Sequence, residues 1–66
     1  MAIEQITLPA ARKLAGLTQE GLAKACGVSL STVYNWEKYK SEPSVTQAKQ
    51  IAAACGVDIN DISFLP

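Results

Sequence analysis

Residues 18–39 read TQEGLAKACGVSLSTVYNWEKY, and this stretch decides the fold of the chain. Thr18 is a residue type that caps helix N-termini, and the helix that follows it is predicted over residues 19–26, where a glycine stops it. Ser29 is placed to cap a further helix, from residue 30 to about residue 39. Two helices joined by a tight glycine turn predict a helix-turn-helix unit over residues 18–39.

Further helices are predicted on both sides of this unit. A first helix is capped by Thr7 and stops at Gly16, and Ser44-Val45-Thr46-Gln47 is a capping box that opens a fourth helix ending at Cys55. Asp58 is placed to cap a short fifth helix through about Ile62. No strand pattern and no linker are visible, so the sequence predicts an all-α fold of five short helices in one domain, residues 1–66.

The composition bounds the functions that this chain can have. Its 66 residues are 48% hydrophobic and 18% charged, six Lys and Arg balance six Asp and Glu, and there is no His. A globular domain is therefore expected, and any anionic partner must be met by a local patch. The absence of His argues against an enzyme and against a metal site, and nothing in the sequence indicates a cofactor or a small-molecule substrate.

Cys26 and Cys55 form no CxxC pair, and we expect both to be reduced and packed in the core of a cytoplasmic protein. No apolar run approaches the roughly 18 residues of a membrane span. The first residues, Met1-Ala2-Ile3-Glu4, do not resemble a secretory signal.

The helix predicted from residue 30 has a polar outer face. With 100° per residue, Val33 and Trp36 define its inner side, whereas Ser31, Tyr34, Asn35 and Lys38 cluster on the opposite side. Asn can pair with the edge of adenine, Ser donates and accepts, and Lys neutralises phosphate. This face fits DNA, but it is also what an ordinary solvated helix face looks like.

Three neighbouring positions have alternative interpretations. Leu30 either packs on an adjacent helix or touches a thymine methyl group. Gln19 is either an ordinary helix-start residue or a phosphate contact at the helix N-terminus. Glu37 and Arg12 both fall on inward-facing sides of their helices, so we expect them to form an ion pair that links the first and third helices.

Residues 11–62 resemble the Cro/cI-type helix-turn-helix repressors. The resemblance rests on Gly16-Leu17-Thr18-Gln19-Glu20, Leu22-Ala23, Gly27-Val28-Ser29, Val33, Trp36-Glu37, Pro43-Ser44 and Gly56-Val57. It implies a five-helix, lambda-repressor-like bundle whose third helix enters the DNA major groove, generally as a dimer on a palindromic operator. It also implies roles for single residues: phosphate contact for Gln19, base reading for Ser29, Leu30, Ser31 and Asn35, and backbone contact for Lys38 and Lys40.

Together, the helix face and the resemblance predict a set of DNA-binding residues: Thr18, Gln19, Ser29, Leu30, Ser31, Thr32, Tyr34, Asn35, Lys38 and Lys40. The predicted function is a sequence-specific transcriptional regulator, a small phage-type repressor that binds a double-stranded operator as a homodimer. The alternative is a protein-binding adaptor or antitoxin with the same fold, which the net charge of zero and the apolar Leu30 and Tyr34 favour.

The C-terminal segment has two possible roles. Ile59, Ile62, Phe64 and Leu65 follow the helix-turn-helix unit, where they either pair two copies of the chain on the side away from DNA or close the core of one copy.

Overall fold

The computed structural model describes residues 5–64 of the chain. Four α-helices make up most of this part: α1 Leu8–Leu14, α2 Gln19–Cys26, α3 Leu30–Glu37 and α4 Val45–Cys55. A single 3-10 turn, Ile59–Asp61, follows α4, and two short strands, β1 Ile6–Thr7 and β2 Ile62–Ser63, complete the described elements. The all-α class is therefore confirmed, with α2 and α3 as the helix-turn-helix pair.

Four of the five predicted helix starts are confirmed as α-helix starts by their capping hydrogen bonds. The side-chain hydroxyls of Thr7, Thr18, Ser29 and Ser44 each accept a backbone N–H from the residue three positions further on. Ser44 also forms the complete capping box, because the backbone N–H of Ser44 donates to Oε1 of Gln47 at 2.9 Å. Each cap satisfies a helix N–H that the helix itself leaves unpaired, so these local signals fix where the helices begin.

The core lies between the four helices, because α3 and α4 each pack against both α1 and α2. Its fully buried large side chains are Leu8, Leu22, Val33 and Ile51, one from each helix. Trp36 of α3 and Ile62 of β2 join this cluster with 3% and 2% of their surfaces exposed. The inner side predicted for α3, defined by Val33 and Trp36, is thus correct.

The predicted fifth helix is wrong. Only Ile59–Asp61 is helical after Asp58, and it forms a 3-10 turn in which Oδ1 of Asp58 accepts the backbone N–H of Asn60 at 2.8 Å. Asp, Asn and Ile are weak helix formers, and a side-chain bond that spans two residues favours a tight turn over an α-helix. Ile62 then leaves the turn in an extended conformation and enters β2.

The prediction that the chain has no strand is also wrong. β1 and β2 pair in parallel, with Ile6 opposite Ile62 and Thr7 opposite Ser63. Two residues are too few to show the alternation that identifies a strand in a sequence, and the partners come from opposite ends of the chain. The pairing brings Ile6, two residues before α1, opposite the buried Ile62.

Helix α3 ends at Glu37, two residues before the predicted end at about Tyr39. Tyr39 lies in the left-handed region with φ 59°, a position that glycine usually takes after a helix. The backbone N–H of Lys40 donates to the carbonyl of Asn35 at 2.9 Å, and that of Tyr39 donates to the carbonyl of Trp36 at 3.2 Å. These two hydrogen bonds satisfy carbonyl groups in the last turn of α3, although no glycine follows the helix.

Both cysteines are free and buried, as predicted. Cys26 ends α2 and Cys55 ends α4, each directly before a glycine in the left-handed conformation. Burial raises the pKa of the Cys26 thiol, and burial also raises that of Cys55, with a further increase from the neighbouring Cys26. Within residues 5–64, no helix is long and apolar enough to cross a membrane.

Candidate nucleic-acid interface

The turn between α2 and α3 fixes how α3 is presented. Gly27 has φ 67°, a backbone conformation that residues with a side chain rarely adopt. The backbone N–H of Val28 donates to the carbonyl of Ala23 at 3.0 Å. Ser29 caps α3 immediately afterwards. Since this turn is short and closed by hydrogen bonds, the direction of α3 is set by α2 and by the core beneath it.

The outer side of α3 is open to solvent. Leu30 and Tyr34 are 49% and 44% exposed, and Ser31 and Lys38 are exposed as well. Asn35 lies at the edge of this surface and is half-buried. The structure therefore brings together the α3 residues that the sequence analysis assigned to the outer face.

Three hydroxyl groups at the start of α3 bind one another. Oγ of Ser29 lies 3.1 Å from Oγ of Ser31 and 2.8 Å from Oγ1 of Thr32, and it also accepts the backbone N–H of Thr32 at 3.2 Å. The predicted base readers Ser29 and Ser31 thus share a local hydrogen-bond cluster with Thr32. Each hydroxyl keeps further hydrogen-bonding capacity for a ligand.

A cation lies on the aromatic ring of the outer face. Nζ of Lys38 is 5.7 Å from the centroid of the Tyr34 ring, within the range of a cation–π contact. Lys40 is exposed in the turn that follows α3. The C-terminal end of α3 therefore carries two ammonium groups beside an exposed aromatic ring.

The ion pair predicted between Arg12 and Glu37 is confirmed. Nε of Arg12 lies 2.7 Å from Oε2 of Glu37, and Nη2 of Arg12 donates to Oε1 at 3.3 Å, so the contact is bidentate. The two side chains are only 11% and 6% exposed, and Nη1 of Arg12 also donates to the carbonyl of Leu17 at 3.0 Å. This pair ties α1, and the loop after it, to the last turn of α3.

Gln19 is the third member of this network, which the sequence analysis did not foresee. Its Nε2 donates to Oε1 of Glu37 at 2.9 Å and so joins the first residue of α2 to the last residue of α3. The amide keeps a second N–H, and the phosphate contact predicted for Gln19 stays a prediction. Its neighbour Thr18 is exposed, with its hydroxyl accepting the backbone N–H of Gly21 at 2.9 Å. The signal for this network was the inward-facing Glu37, because a carboxylate has two oxygens and can accept from a second donor besides Arg12.

Comparison with known proteins decides the family. Residues 10–62 match the helix-turn-helix family, and this span contains α2, α3, α4 and most of α1. The chain belongs to the helix-turn-helix family. The matched region includes the whole α2–turn–α3 unit and the network that braces it.

Two curated relatives are similar to this chain. A protein of Methanocaldococcus jannaschii is 51% identical over 51 residues, which cover 77% of each chain. A protein of Methanothermobacter thermautotrophicus is 46% identical over 55 residues, which cover 82% of this chain and 80% of the relative. Both are named as uncharacterized helix-turn-helix-type transcriptional regulators. No solved structure matches the chain significantly.

Proposed function

We propose that the chain is a sequence-specific DNA-binding transcriptional regulator, a small phage-type repressor that inserts α3 into the major groove. The observation that carries this proposal is the outer side of α3, where exposed hydrogen-bonding and cationic groups stand on a braced helix. The only carboxylate in residues 29–40 is Glu37, which is bound to Arg12 and Gln19. Membership in the helix-turn-helix family, with relatives named as transcriptional regulators, supports the same function.

Base reading is assigned to the start and the middle of α3. The Asn35 amide can accept from and donate to one adenine edge in bidentate fashion, whereas the Ser31 hydroxyl makes single bonds. Ser29 and Thr32 share the hydroxyl cluster with Ser31 and hold it at the N-terminal end of the helix. Sequence preference would therefore depend most on Asn35.

Phosphate contacts are assigned to the two sides of α3. On one side, Thr18 and Gln19 open α2, whose N-terminal N–H groups favour an anion, and the second N–H of the Gln19 amide is available. On the other side, Lys38 and Lys40 supply charge at the end of α3. Such contacts fix register and affinity without reading bases. The protein acts by occupying its site, without catalysis or a cofactor.

Two copies would bind a palindromic operator. One α3 offers few base contacts, which give too little affinity to select one site among the many of a genome. Two copies bound to two half-sites about one helical turn apart would add their base contacts and so increase the preference for the operator. Ile62 is buried in the core, and Ile59 and Phe64 pack against it, so these residues close the single copy. Leu65, the fourth apolar residue of this segment, lies outside the described residues.

A second candidate function is an adaptor or antitoxin that binds protein through the same face. The exposed Leu30 and Tyr34 favour it, as does the net charge of zero. The two functions differ in salt dependence, because phosphate contacts release counterions and apolar protein contacts do not.

The test is selection from random double-stranded DNA with the whole chain, followed by binding measurements at several salt concentrations. DNA binding predicts an enriched inverted repeat and an affinity that falls linearly with the logarithm of salt concentration, by about 0.9 per phosphate contacted. Failure to enrich any sequence, together with no binding even at about 50 mM salt, would contradict the proposal. In that case, a protein partner that is captured by the chain and is not displaced by added DNA would favour the adaptor function.

A further inference from the structure

We propose that Leu30 and Tyr34 read thymine methyl groups, so that apolar contact with thymine is part of the sequence preference of this protein. This inference rests on the proposed DNA-binding function and deepens it by naming the base chemistry. Leu30 and Tyr34 are together called the methyl-reading strip below. Thymine is the base that carries a methyl group, at C5, on the major-groove edge of the duplex.

The geometry of the strip supports this assignment. Leu30 and Tyr34 are four residues apart on α3, which places their side chains side by side on one surface of the helix. They are 49% and 44% exposed, so about half of each side chain is left uncovered by the core.

The polar groups around Leu30 do not compete for the same contact. The hydroxyl of Ser29 on one side of Leu30 binds the hydroxyls of Ser31 and Thr32 on the other, at 3.1 and 2.8 Å. These hydroxyls therefore bind within their own cluster beside the exposed isobutyl group of Leu30, and each keeps capacity for a further polar contact. The isobutyl group of Leu30 can make only apolar contact with a base edge, and a methyl group is the base substituent that fits it.

The charges beside the strip favour DNA over an apolar protein as the occupant. Nζ of Lys38 lies 5.7 Å from the centre of the Tyr34 ring, so a cation borders the apolar surface directly. The one carboxylate in residues 29–40 belongs to Glu37. Its side chain is 6% exposed and is bound to Arg12 and Gln19. A thymine-bearing groove has this complementary pattern, with methyl groups on the base edges and anionic phosphates beside them.

The experiment replaces thymine with deoxyuridine, which removes the methyl group and keeps the base pair. A site is first selected from random duplexes with the whole chain, and each thymine in a half-site is then replaced singly. We expect at least one position where deoxyuridine weakens binding about fourfold, the value for losing one buried methyl group. Binding at the remaining thymines should not change.

Two variants connect that loss to the strip. In Leu30→Ala or Tyr34→Ala, the ratio of thymine to deoxyuridine affinity at the sensitive position should fall to near one. Leu14→Ala is the matched control, because Leu14 is 76% exposed and lies at the end of α1, outside the strip. It should keep the full ratio. Since all these side chains are exposed, the variants keep the core, and circular dichroism verifies their folding.

Two results would overturn the inference. If the selected site binds equally well with thymine and deoxyuridine at every position, or if both strip variants keep the ratio, the strip does not read methyl groups, while the DNA-binding function stands. If selection yields no site at all, the proposed function fails and the inference fails with it.

Discussion

At the residue scale, we expect the ion pair of Arg12 and Glu37 to contribute more to the free energy of unfolding than exposed charged residues do, because its two side chains are only 11% and 6% exposed. Removing one partner leaves the other charge in a largely desolvated place without its counter-ion. We expect Glu37→Ala to lower the free energy of unfolding by about 3 kcal/mol, the lower end of the range for a broken buried pair, because a little solvent reaches the site. Urea titration followed by Trp36 fluorescence measures this loss.

The control for this variant is Glu42→Ala, since Glu42 is exposed in the loop before α4. Its effect should stay within about 0.5 kcal/mol. The double variant Arg12→Ala, Glu37→Ala should be less destabilised than the sum of the single variants, because the stranded charge is gone. A loss of less than about 1 kcal/mol in Glu37→Ala would show that the pair is not a major support of α3.

The two buried cysteines give a prediction about pH. Burial raises the pKa of each thiol in the folded protein above its value in the unfolded chain, so the folded state favours the neutral thiol. This contribution is complete below the unfolded thiol pKa of about 8.5 and is lost as the pH rises through the higher folded value. Urea midpoints should therefore fall as the pH rises above about 8.5.

The double variant Cys26→Ala, Cys55→Ala separates the thiols from other groups that titrate in this range. Its urea midpoint should fall less over the same pH interval than that of the natural chain. Identical pH profiles for the two proteins would contradict the assignment of this effect to the cysteines.

At the element scale, the turn between α2 and α3 depends on Gly27. A Cβ at Gly27 would meet no described atom within 4 Å, so the effect of substitution comes from the backbone at φ 67°. We expect Gly27→Ala to cost about 1–2 kcal/mol, the usual penalty of the left-handed conformation. Gly27→Asn should cost less, because Asn tolerates this conformation. Thermal unfolding ranks the three proteins, and an Ala variant as stable as Asn would contradict the explanation.

The helix starts were predictable from the sequence because each is fixed by a local bond. Thr18, Ser29 and Ser44 cap the residues that follow them within one turn, and these are contacts that a sequence shows directly. The end of α3 was harder to predict, since Tyr39 adopts a conformation that its residue type seldom takes. β2 was not predictable, because Ile62 needs Ile6 from the other end of the chain.

The candidate site shows the same division between local and distant contacts. Periodicity placed Arg12 and Glu37 on inward-facing sides, which was enough to predict their pairing. It did not reveal that Gln19 shares the same carboxylate, because that contact depends on the angle at which α2 meets α3. The outer surface of α3 follows from its helical period alone.

At the scale of the whole molecule, the formal net charge of zero hides an uneven distribution. Lys38 and Lys40 lie at the end of α3, while Asp58 and Asp61 lie in the turn after α4. Under the proposed function, DNA that binds α3 would meet the cationic end of this helix. With few cations in total, we expect modest binding to random DNA and a larger share of affinity from base contacts.

The most direct measurement compares Asn35→Ala and Lys38→Ala on the selected site and on random DNA, over a range of salt concentrations. Asn35→Ala should lose about 1–3 kcal/mol on the selected site and little on random DNA, because it removes a base contact. Lys38→Ala should weaken both DNAs together and lower the salt slope by about one unit, because it removes a phosphate contact. If Asn35→Ala instead weakened both DNAs equally, or neither of them, α3 would not be the element that reads DNA in this protein.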